Sequence, residues 1–264
     1  MSLVFSAIVP HPPLLIPTIG REHAKMLEKT SAALGQLAMN LAAARPETIL
    51  VISPHLGMMP ENFLVNHAPK CQTHFLEFGD FSPPREFATD SLLVERIRRA
   101  CRYDGQNIIT VSDQHLDYGS SVPLTVLTPN DKKTAAVVIA PSTGASKFQF
   151  AFGQAVKEAI MNANRRVALI CSGDFSHRLS SDTPAGFSPK GREFDDLLLS
   201  NLATGNASPV LQMNRKLVEE AHACGYNAIC VLLGIMDKID CRPEMMCYEA
   251  PYGVGYCTME YHLK

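Results

Sequence analysis

The sequence predicts an α/β fold, with a single domain over residues 1–264 and a central mixed, largely parallel sheet that helices cover on both faces. Continuous apolar runs of strand length alternate with longer segments in which apolar residues recur at helical spacing. Strands buried on both faces of a parallel sheet are typically continuous apolar runs. The 264 residues, 46% of them hydrophobic, are enough for one large core.

The element order follows from these runs. Strands are predicted at residues 3–9, 48–53, 107–111, 134–140 and 166–172, with a short pair at a sheet edge formed by 63–66 and 74–78. Helices are predicted at 21–44, 87–102, 146–164, 189–203 and 217–238, the last interrupted around Cys224-Gly225. The segments 245–250 and 255–262 form a closing pair of strands, which departs from simple alternation and predicts a mixed sheet.

Composition excludes several classes of function. The net charge is −2 and no basic stripe is present, so we expect no nucleic-acid partner. No apolar run approaches the roughly 20 residues of a membrane span, and prolines interrupt the N-terminal apolar run, so we expect neither a membrane segment nor a signal peptide. The eight cysteines include no Cys-x-x-Cys pair, and Cys171 and Cys230 lie in apolar runs. This pattern predicts free thiols and a cytoplasmic location.

Three histidines follow three of the predicted strands. They lie in Pro10-His11-Pro12, Ser53-Pro54-His55 and Gly173-Asp174-Phe175-Ser176-His177. Ligands of α/β proteins bind beyond the carboxyl ends of parallel strands, and imidazole is the commonest metal-binding side chain. Prolines stiffen the turn around His11. We therefore expect one metal-dependent site, with nitrogens of His11 and His55 roughly 3 to 4 Å apart, as for two ligands of one ion.

The third histidine has two interpretations. His177 serves as a metal ligand or as an acid–base group, and Asp174 or Ser176 orients its ring. Asp174 could equally be the N-cap of a following segment. The remaining histidines lack this strand-end context and are interpreted as surface or hydrogen-bonded residues: His23, His67, His74, His222 and His262.

Two further segments contain candidate residues. In the polar stretch 113–124, His115 and Tyr118 are candidate substrate contacts, and the alternative is a solvated loop. Two metal ligands are too few for a stable site, so a third is needed. Cys224, at a predicted helix start that would lower its pKa, is a candidate thiolate ligand. Glu220 is the candidate carboxylate ligand, and for both residues a solvated or capping role is the alternative.

Together these residues resemble the class III extradiol ring-cleavage dioxygenases, a superfamily of subunit-B-like proteins that includes the Memo-like proteins. The similarity covers nearly the whole chain in order. Its motifs are Pro10-His11-Pro12, Ser53-Pro54-His55, Asp117-Tyr118-Gly119 with Val122-Pro123-Leu124, Gly173-Asp174-Phe175-Ser176-His177, Cys224-Gly225 and Tyr252-Gly253-Val254-Gly255-Tyr256. The resemblance implies an α/β fold with a mononuclear non-haem iron held by two histidines and a glutamate. His11 and His55 match these histidines, and His177 matches the catalytic acid–base histidine.

The chain departs from the dioxygenase pattern at two places. Tyr118 replaces a substrate-binding histidine, with His115 three residues earlier. Where the glutamate ligand usually lies, this chain has Cys224-Gly225, as Memo-like relatives do, and Glu220 is the nearest preceding acid. Of the two candidates for third ligand, Cys224 is preferred because it lies at the matching position, and Glu220 is the alternative.

The resemblance leads to three functional hypotheses. The first is an Fe(II)-dependent dioxygenase that acts with O₂ on a catechol-like aromatic. The second is a Memo-like protein that binds a metal or ligand without cleaving rings, and the third is a Zn(II)-dependent hydrolase. We expect a homo-oligomer, and some relatives add a small accessory subunit.

Overall fold

A computed structural model describes residues 2–129 and 133–264. Its strands are β1 (Leu3–Val9), β2 (Thr48–Ile52), β3 (Phe63–Asn66), β4 (Lys70–Gln72), β5 (Glu86–Ala88), β6 (Ile108–Val111), β7 (Ala135–Ala140), β8 (Val167–Ser172), β9 (Cys241–Glu249) and β10 (Tyr256–Leu263). Its helices are α1 (Pro17–Gly20), α2 (Glu28–Ala44), α3 (Ser91–Tyr103), α4 (Tyr118–Leu127), α5 (Ser146–Met161), α6 (Pro189–Ala203), α7 (Ala207–Leu211), α8 (Arg215–Ala221) and α9 (Tyr226–Met236). Short 3₁₀ helices cover Pro13–Leu15, Arg21–Leu27 and Leu76–Phe78.

Eight strands form one mixed sheet in the order β6-β3-β7-β2-β8-β1-β10-β9. Strands β7, β2, β8 and β1 are parallel to one another, whereas β3 and β10 run antiparallel to β7 and β1. In the register, Val9 of β1 pairs with Ser172 of β8, and Cys171 of β8 pairs with Ile52 of β2. The carboxyl ends of these three neighbouring strands therefore lie side by side.

Apolar residues are buried on both faces of this sheet. One core contains side chains of α3, α5, α6 and α9, and the other contains side chains of α2 and α4. The burial of whole strands such as β2, β7 and β8 explains their continuous apolar sequences. These features confirm the predicted α/β class with a mixed sheet covered on both faces.

The predicted edge pair at 63–66 and 74–78 is wrong. Strand β3 lies inside the sheet, between β6 and β7, and all four of its residues are buried. The segment 74–78 contains no strand, and its Leu76–Phe78 part is a 3₁₀ helix. The short strands of this region are β4 and β5, which form a separate two-stranded sheet.

Helix boundaries differ from the prediction at identifiable capping residues. Helix α3 starts at Ser91 and not near residue 87, because Asp90 accepts a hydrogen bond from the Leu93 amide at 3.0 Å and caps it. The stretch 113–124 is not simply a solvated loop. Asp117 caps α4 through the Ser120 amide at 3.0 Å, and the first turn of α4 is mostly buried.

The structure also bears on the predicted helix break and the predicted free thiols. The predicted interruption around Cys224-Gly225 is the break between α8 and α9. All eight cysteines are free, and Cys171 and Cys230 are fully buried. Within the described ranges, no helix is both long and apolar enough to cross a lipid bilayer.

Candidate metal centre

The ends of three adjacent strands bring the candidate histidines together. His11 follows β1, His55 follows β2, and the loop with Asp174 and His177 follows β8, which lies between the other two strands. The fourth component, Cys224, comes from the break before α9. Parallel neighbours that end in register thus place residues from distant parts of the sequence at one edge of the sheet.

Three side chains form a compact set of potential ligands. The Nε2 atoms of His11 and His55 are 3.1 Å apart, within the range predicted from the sequence. The Sγ atom of Cys224 lies 3.5 Å from Nε2 of His11. One ligand atom of each residue lies within 4.8 Å of the other two. This arrangement could hold one metal ion, since imidazole and thiolate are both common ligands of transition metals.

The His11 ring is oriented by a buried hydrogen-bond relay. Pro123 lacks the amide that would otherwise bond to the Gly119 carbonyl within α4. That carbonyl instead accepts a hydrogen bond from the Ser172 hydroxyl. Because this hydroxyl hydrogen is used, Ser172 Oγ accepts a hydrogen bond from Nδ1 of His11, at 2.8 Å. The Nε2 lone pair of His11 is therefore directed to the site, which is the tautomer that metal binding needs.

His55 is supported through its backbone and its ring. Its amide donates to Ser53 Oγ at 3.2 Å, and this hydroxyl donates to Asp117 Oδ1 at 2.6 Å. The ring of Tyr118 stacks on the imidazole with centroids 4.3 Å apart. The Tyr118 hydroxyl lies 2.9 Å from Nε2 of His55. Burial raises the pKa of Tyr118, so this hydroxyl is a neutral donor at the site.

The loop after β8 adds a carboxylate and a third imidazole. Asp174 is buried and accepts the His11 amide through Oδ1 at 3.0 Å, and its Oδ2 lies 3.7 Å from His11 Nε2. His177 lies against the Phe175 carbonyl, which is 3.1 Å from its Nδ1. This bond leaves Nε2 as the free nitrogen. Asp174, His177 and Cys224 form a second group whose ligand atoms lie within 4.8 Å of one another.

Two glycines allow the Cys224 segment to approach the β8 loop. A Cβ on Gly173 would lie 2.3 Å from the Cα of Gly225, so neither backbone segment can accept a side chain there without moving. The Gly225 amide donates to the Asp174 carbonyl at 3.0 Å, and the Asp174 amide lies 3.3 Å from Cys224 Sγ. This close contact between backbones brings the thiol to the histidines.

Burial controls the protonation of the cluster. Desolvation, with a smaller contribution from His177, lowers the pKa of His11 to about 3, and desolvation followed by the charge of His11 lowers the pKa of His55 to about 4. Both imidazoles are therefore neutral near pH 7, as metal ligands must be. Burial raises the pKa of Asp174 to about 6. Burial and the nearby Asp174 raise the pKa of the Cys224 thiol, so the predicted lowering is wrong for the metal-free chain.

The donor set nevertheless fits a cation. A bound divalent ion reverses the local preference for neutral groups and deprotonates a coordinating thiol. Two neutral imidazole nitrogens in close contact also repel unless a proton or a cation lies near both. The chemistry of His11, His55 and Cys224 thus suits zinc or iron, whereas the carboxylate of Asp174 supplies a harder oxygen ligand nearby.

Two candidates from the sequence lie apart from this cluster. Glu220 pairs with Arg178 at 2.7 Å, and its side chain is half exposed. It belongs to neither group of potential metal ligands found among the described residues. His115 is exposed and packs against His74 with ring centroids 5.0 Å apart, beside a cavity of about 430 Å³.

Sequence reasoning missed the main role of Asp174 and the relay through Ser172. Asp174 does not cap a helix, because the next helix begins at Pro189 and Ser188 caps it. Its place after an apolar strand is the available signal, since the same context predicts His11 and His55 as site residues. Nothing in the sequence pairs Ser172 with His11, because that contact depends on the parallel pairing of β1 with β8.

Comparisons with known proteins identify a family and a relative that are similar to this chain. The model of a family described as the catalytic LigB subunit of aromatic ring-opening dioxygenase matches residues 6–259. Protein CA_C1420 of Clostridium acetobutylicum is 30% identical over an alignment of 271 residues, which covers 98% of this chain. The chain spans only 58% of the length of that relative.

A solved structure also resembles this chain. The crystal structure of uncharacterized protein JW3007 from Escherichia coli K12 matches with a TM-score of 0.69, covering 97% of this chain and 99% of that chain. The sequences are 16% identical, so this similarity shows the fold alone.

Proposed function

The chain belongs to the family of the catalytic LigB subunit of aromatic ring-opening dioxygenases, and we propose that it is a metal-dependent oxidoreductase that acts with O₂ on a catechol-like aromatic. The observation that carries the proposal is the 3.1 Å contact between the Nε2 atoms of His11 and His55, with Cys224 Sγ beside them. Two neutral imidazoles in this geometry, with His11 buried and His55 partly buried, are suited to hold one ion.

The metal would be held by His11, His55 and Cys224. Iron(II) held there would supply redox chemistry with O₂, whereas zinc(II), which has no redox chemistry, would act as a Lewis acid. We propose Fe(II) as the physiological ion and Zn(II) as the alternative. The protein contributes ligand orientation through Ser172, which fixes the tautomer of His11.

His177 is the proposed acid–base group. Its Nδ1 is paired with the Phe175 carbonyl, so Nε2 is available to take a proton from a substrate hydroxyl and to return it. Tyr118, with its neutral hydroxyl 2.9 Å from His55, is the proposed substrate contact. The phenol can donate a hydrogen bond to a substrate oxygen, and its ring can pack against an aromatic substrate.

An aerobic assay with a panel of catechols tests this function. Iron-loaded protein should produce ring-opened product, and metal-free protein should not. His177→Ala should retain the metal but lose about 10²- to 10⁴-fold in turnover, the usual contribution of a proton-transfer group. His262→Ala is the matched control, since His262 is partly exposed and lies 3.0 Å from Glu244 at the surface. Absence of product from every catechol, with iron bound in stoichiometric amount, would contradict the proposal.

A second candidate is supported by Cys224. Iron oxygenases of the two-histidine type use a carboxylate as third ligand, whereas here the Cys224 thiol lies 3.5 Å from Nε2 of His11 and Glu220 is paired with Arg178. The alternative is therefore a Memo-like protein that binds a metal or small ligand without cleaving rings. A bound metal with thiolate ligation, together with no turnover of any catechol, would favour this alternative.

A further inference from the structure

Asp195 is a buried carboxylate that the proposed chemistry does not use. It lies on α6, is fully buried, and accepts two hydrogen bonds. Its Oδ1 accepts the Ser176 amide at 2.8 Å, and its Oδ2 accepts the Tyr248 hydroxyl at 2.5 Å. A Cβ on Gly255 would lie 2.3 Å from Oδ2, so the absence of a side chain at Gly255 gives the carboxylate its space.

The contacts of Asp195 fix the loop that carries His177. The amides of Phe175 and His177 donate to the carbonyls of Gly255 and Ala221, at 2.8 and 3.0 Å. The Ser176 amide between them is held by an ionisable side chain instead. Because Nδ1 of His177 is bonded to the Phe175 carbonyl, the direction of the imidazole depends on how this short segment is held.

We propose that Asp195, held by Tyr248, is the positioning residue that sets the orientation of the His177 imidazole by fixing the Ser176 peptide. This inference rests on the acid–base role proposed for His177. An amide side chain could also accept one hydrogen bond here, but a carboxylate forms a stronger, charge-assisted bond. A buried acid is a costly means of holding a loop, and such arrangements are concentrated at functional sites.

The environment of Asp195 makes the contact dependent on pH. Burial raises the pKa of Asp195 to about 6, although the hydrogen bonds from Tyr248 and Ser176 favour the ionised carboxylate and lower its pKa. The titratable groups that interact with it are Tyr248 of β9, Cys257 of β10, and Arg192 and Asp196 of α6. Arg192 is paired with Asp196 at the surface. Below pH 6 the Ser176 amide therefore loses its ionised acceptor.

Amide hydrogen exchange and imidazole NMR on the metal-free protein test the proposal without a substrate. In Asp195→Ala, the loop amides should exchange at least about tenfold faster, since hydrogen bonds to charged groups are the stronger ones, and the ¹⁵N signals of His177 should shift toward a mixture of tautomers. Asp195→Asn should restore both readouts but abolish the shift of the Ser176 amide that accompanies titration near pH 6. Glu193→Gln, on the exposed face of α6 where Glu193 pairs with Lys190, is the matched control and should match the wild type.

Tyr248→Phe is a milder variant that keeps the proposal testable if Asp195→Ala fails to fold. Tyr248→Phe keeps the carboxylate but removes one of its two hydrogen bonds, so it should give an intermediate increase in loop exchange. Unchanged exchange and unchanged His177 signals in both Asp195→Ala and Tyr248→Phe would overturn the proposal. Because no readout involves turnover, these results remain interpretable if the protein does not cleave rings. Equally, unchanged loop exchange would not contradict the proposed ring cleavage.

Discussion

Acid should destabilise the metal-free protein through His11, and the size of the effect follows from its burial. The pKa of His11 falls from its ordinary value of 6.5 to about 3 in the folded chain. A histidine whose folded pKa is lowered binds fewer protons when folded, so its neutral form contributes stability above pH 6.5 that is lost as the pH falls toward 3. Between about pH 7.5 and about pH 5, this loss amounts to about 2 kcal/mol.

Other buried groups act in both directions, so a variant isolates the His11 contribution. His55, with a pKa lowered to about 4, adds a loss of the same sign. Asp174 and Asp195, with pKa values raised to about 6, oppose it because protonation favours their folded state. In His11→Gln, the decrease in unfolding free energy between the two pH values should be smaller than in the wild type by about 2 kcal/mol.

The assay is urea unfolding of chelator-treated protein followed by circular dichroism, since the chain has no tryptophan for fluorescence. His23→Gln is the control, because this histidine is exposed and only its backbone carbonyl contacts Tyr252. The control should show the wild-type dependence on pH. If His11→Gln and the wild type lose the same stability on acidification, the buried, neutral state assigned to His11 is wrong.

Two further predictions concern the ligands and the backbone that places them. In equilibrium dialysis, Cys224→Ser should weaken metal binding by more than the roughly 10- to 100-fold that loss of an outer-sphere partner costs. Glu220→Gln should leave metal binding nearly unchanged. The reverse order of effects would indicate that Glu220 is the ligand. Gly173→Ala should lower both the melting temperature and metal affinity, because its Cβ would lie 2.3 Å from the Gly225 backbone. Gly35→Ala, where nothing lies within 4 Å of the added Cβ, should instead stabilise the protein by about 0.5–1 kcal/mol; equal effects of the two alanines would contradict this packing argument.

The sheet and the strand-end histidines could be predicted from sequence because local pattern determines them. Continuous apolar runs identified β2, β7 and β8, and the histidines follow strands in polar or proline-containing turns. The convergence of His11 and His55 then required only that their strands be parallel and close. That step follows from the architecture of α/β proteins.

The rest of the site depends on contacts that a linear pattern does not contain. The sequence does not predict helix α4, because its polar first turn and internal Pro123 are typical of a loop. The capping of this helix by Asp117 is evident only in the structure. The position of Cys224 beside the histidines depends on the close approach of Gly173 to Gly225, which is a property of two distant backbones. Asp195 gave no signal, because one acid in an amphipathic helix is normally solvated.

We propose that His11, His55 and Cys224 bind one metal ion, and X-ray absorption spectroscopy at the metal edge is the sharpest test of this claim. With zinc as the probe, we expect two imidazole nitrogens at about 2.0–2.1 Å and one sulfur at about 2.3 Å. The sulfur contribution should disappear in Cys224→Ser and persist in Glu220→Gln. A first coordination sphere of nitrogen and oxygen alone in the wild type would contradict the claim.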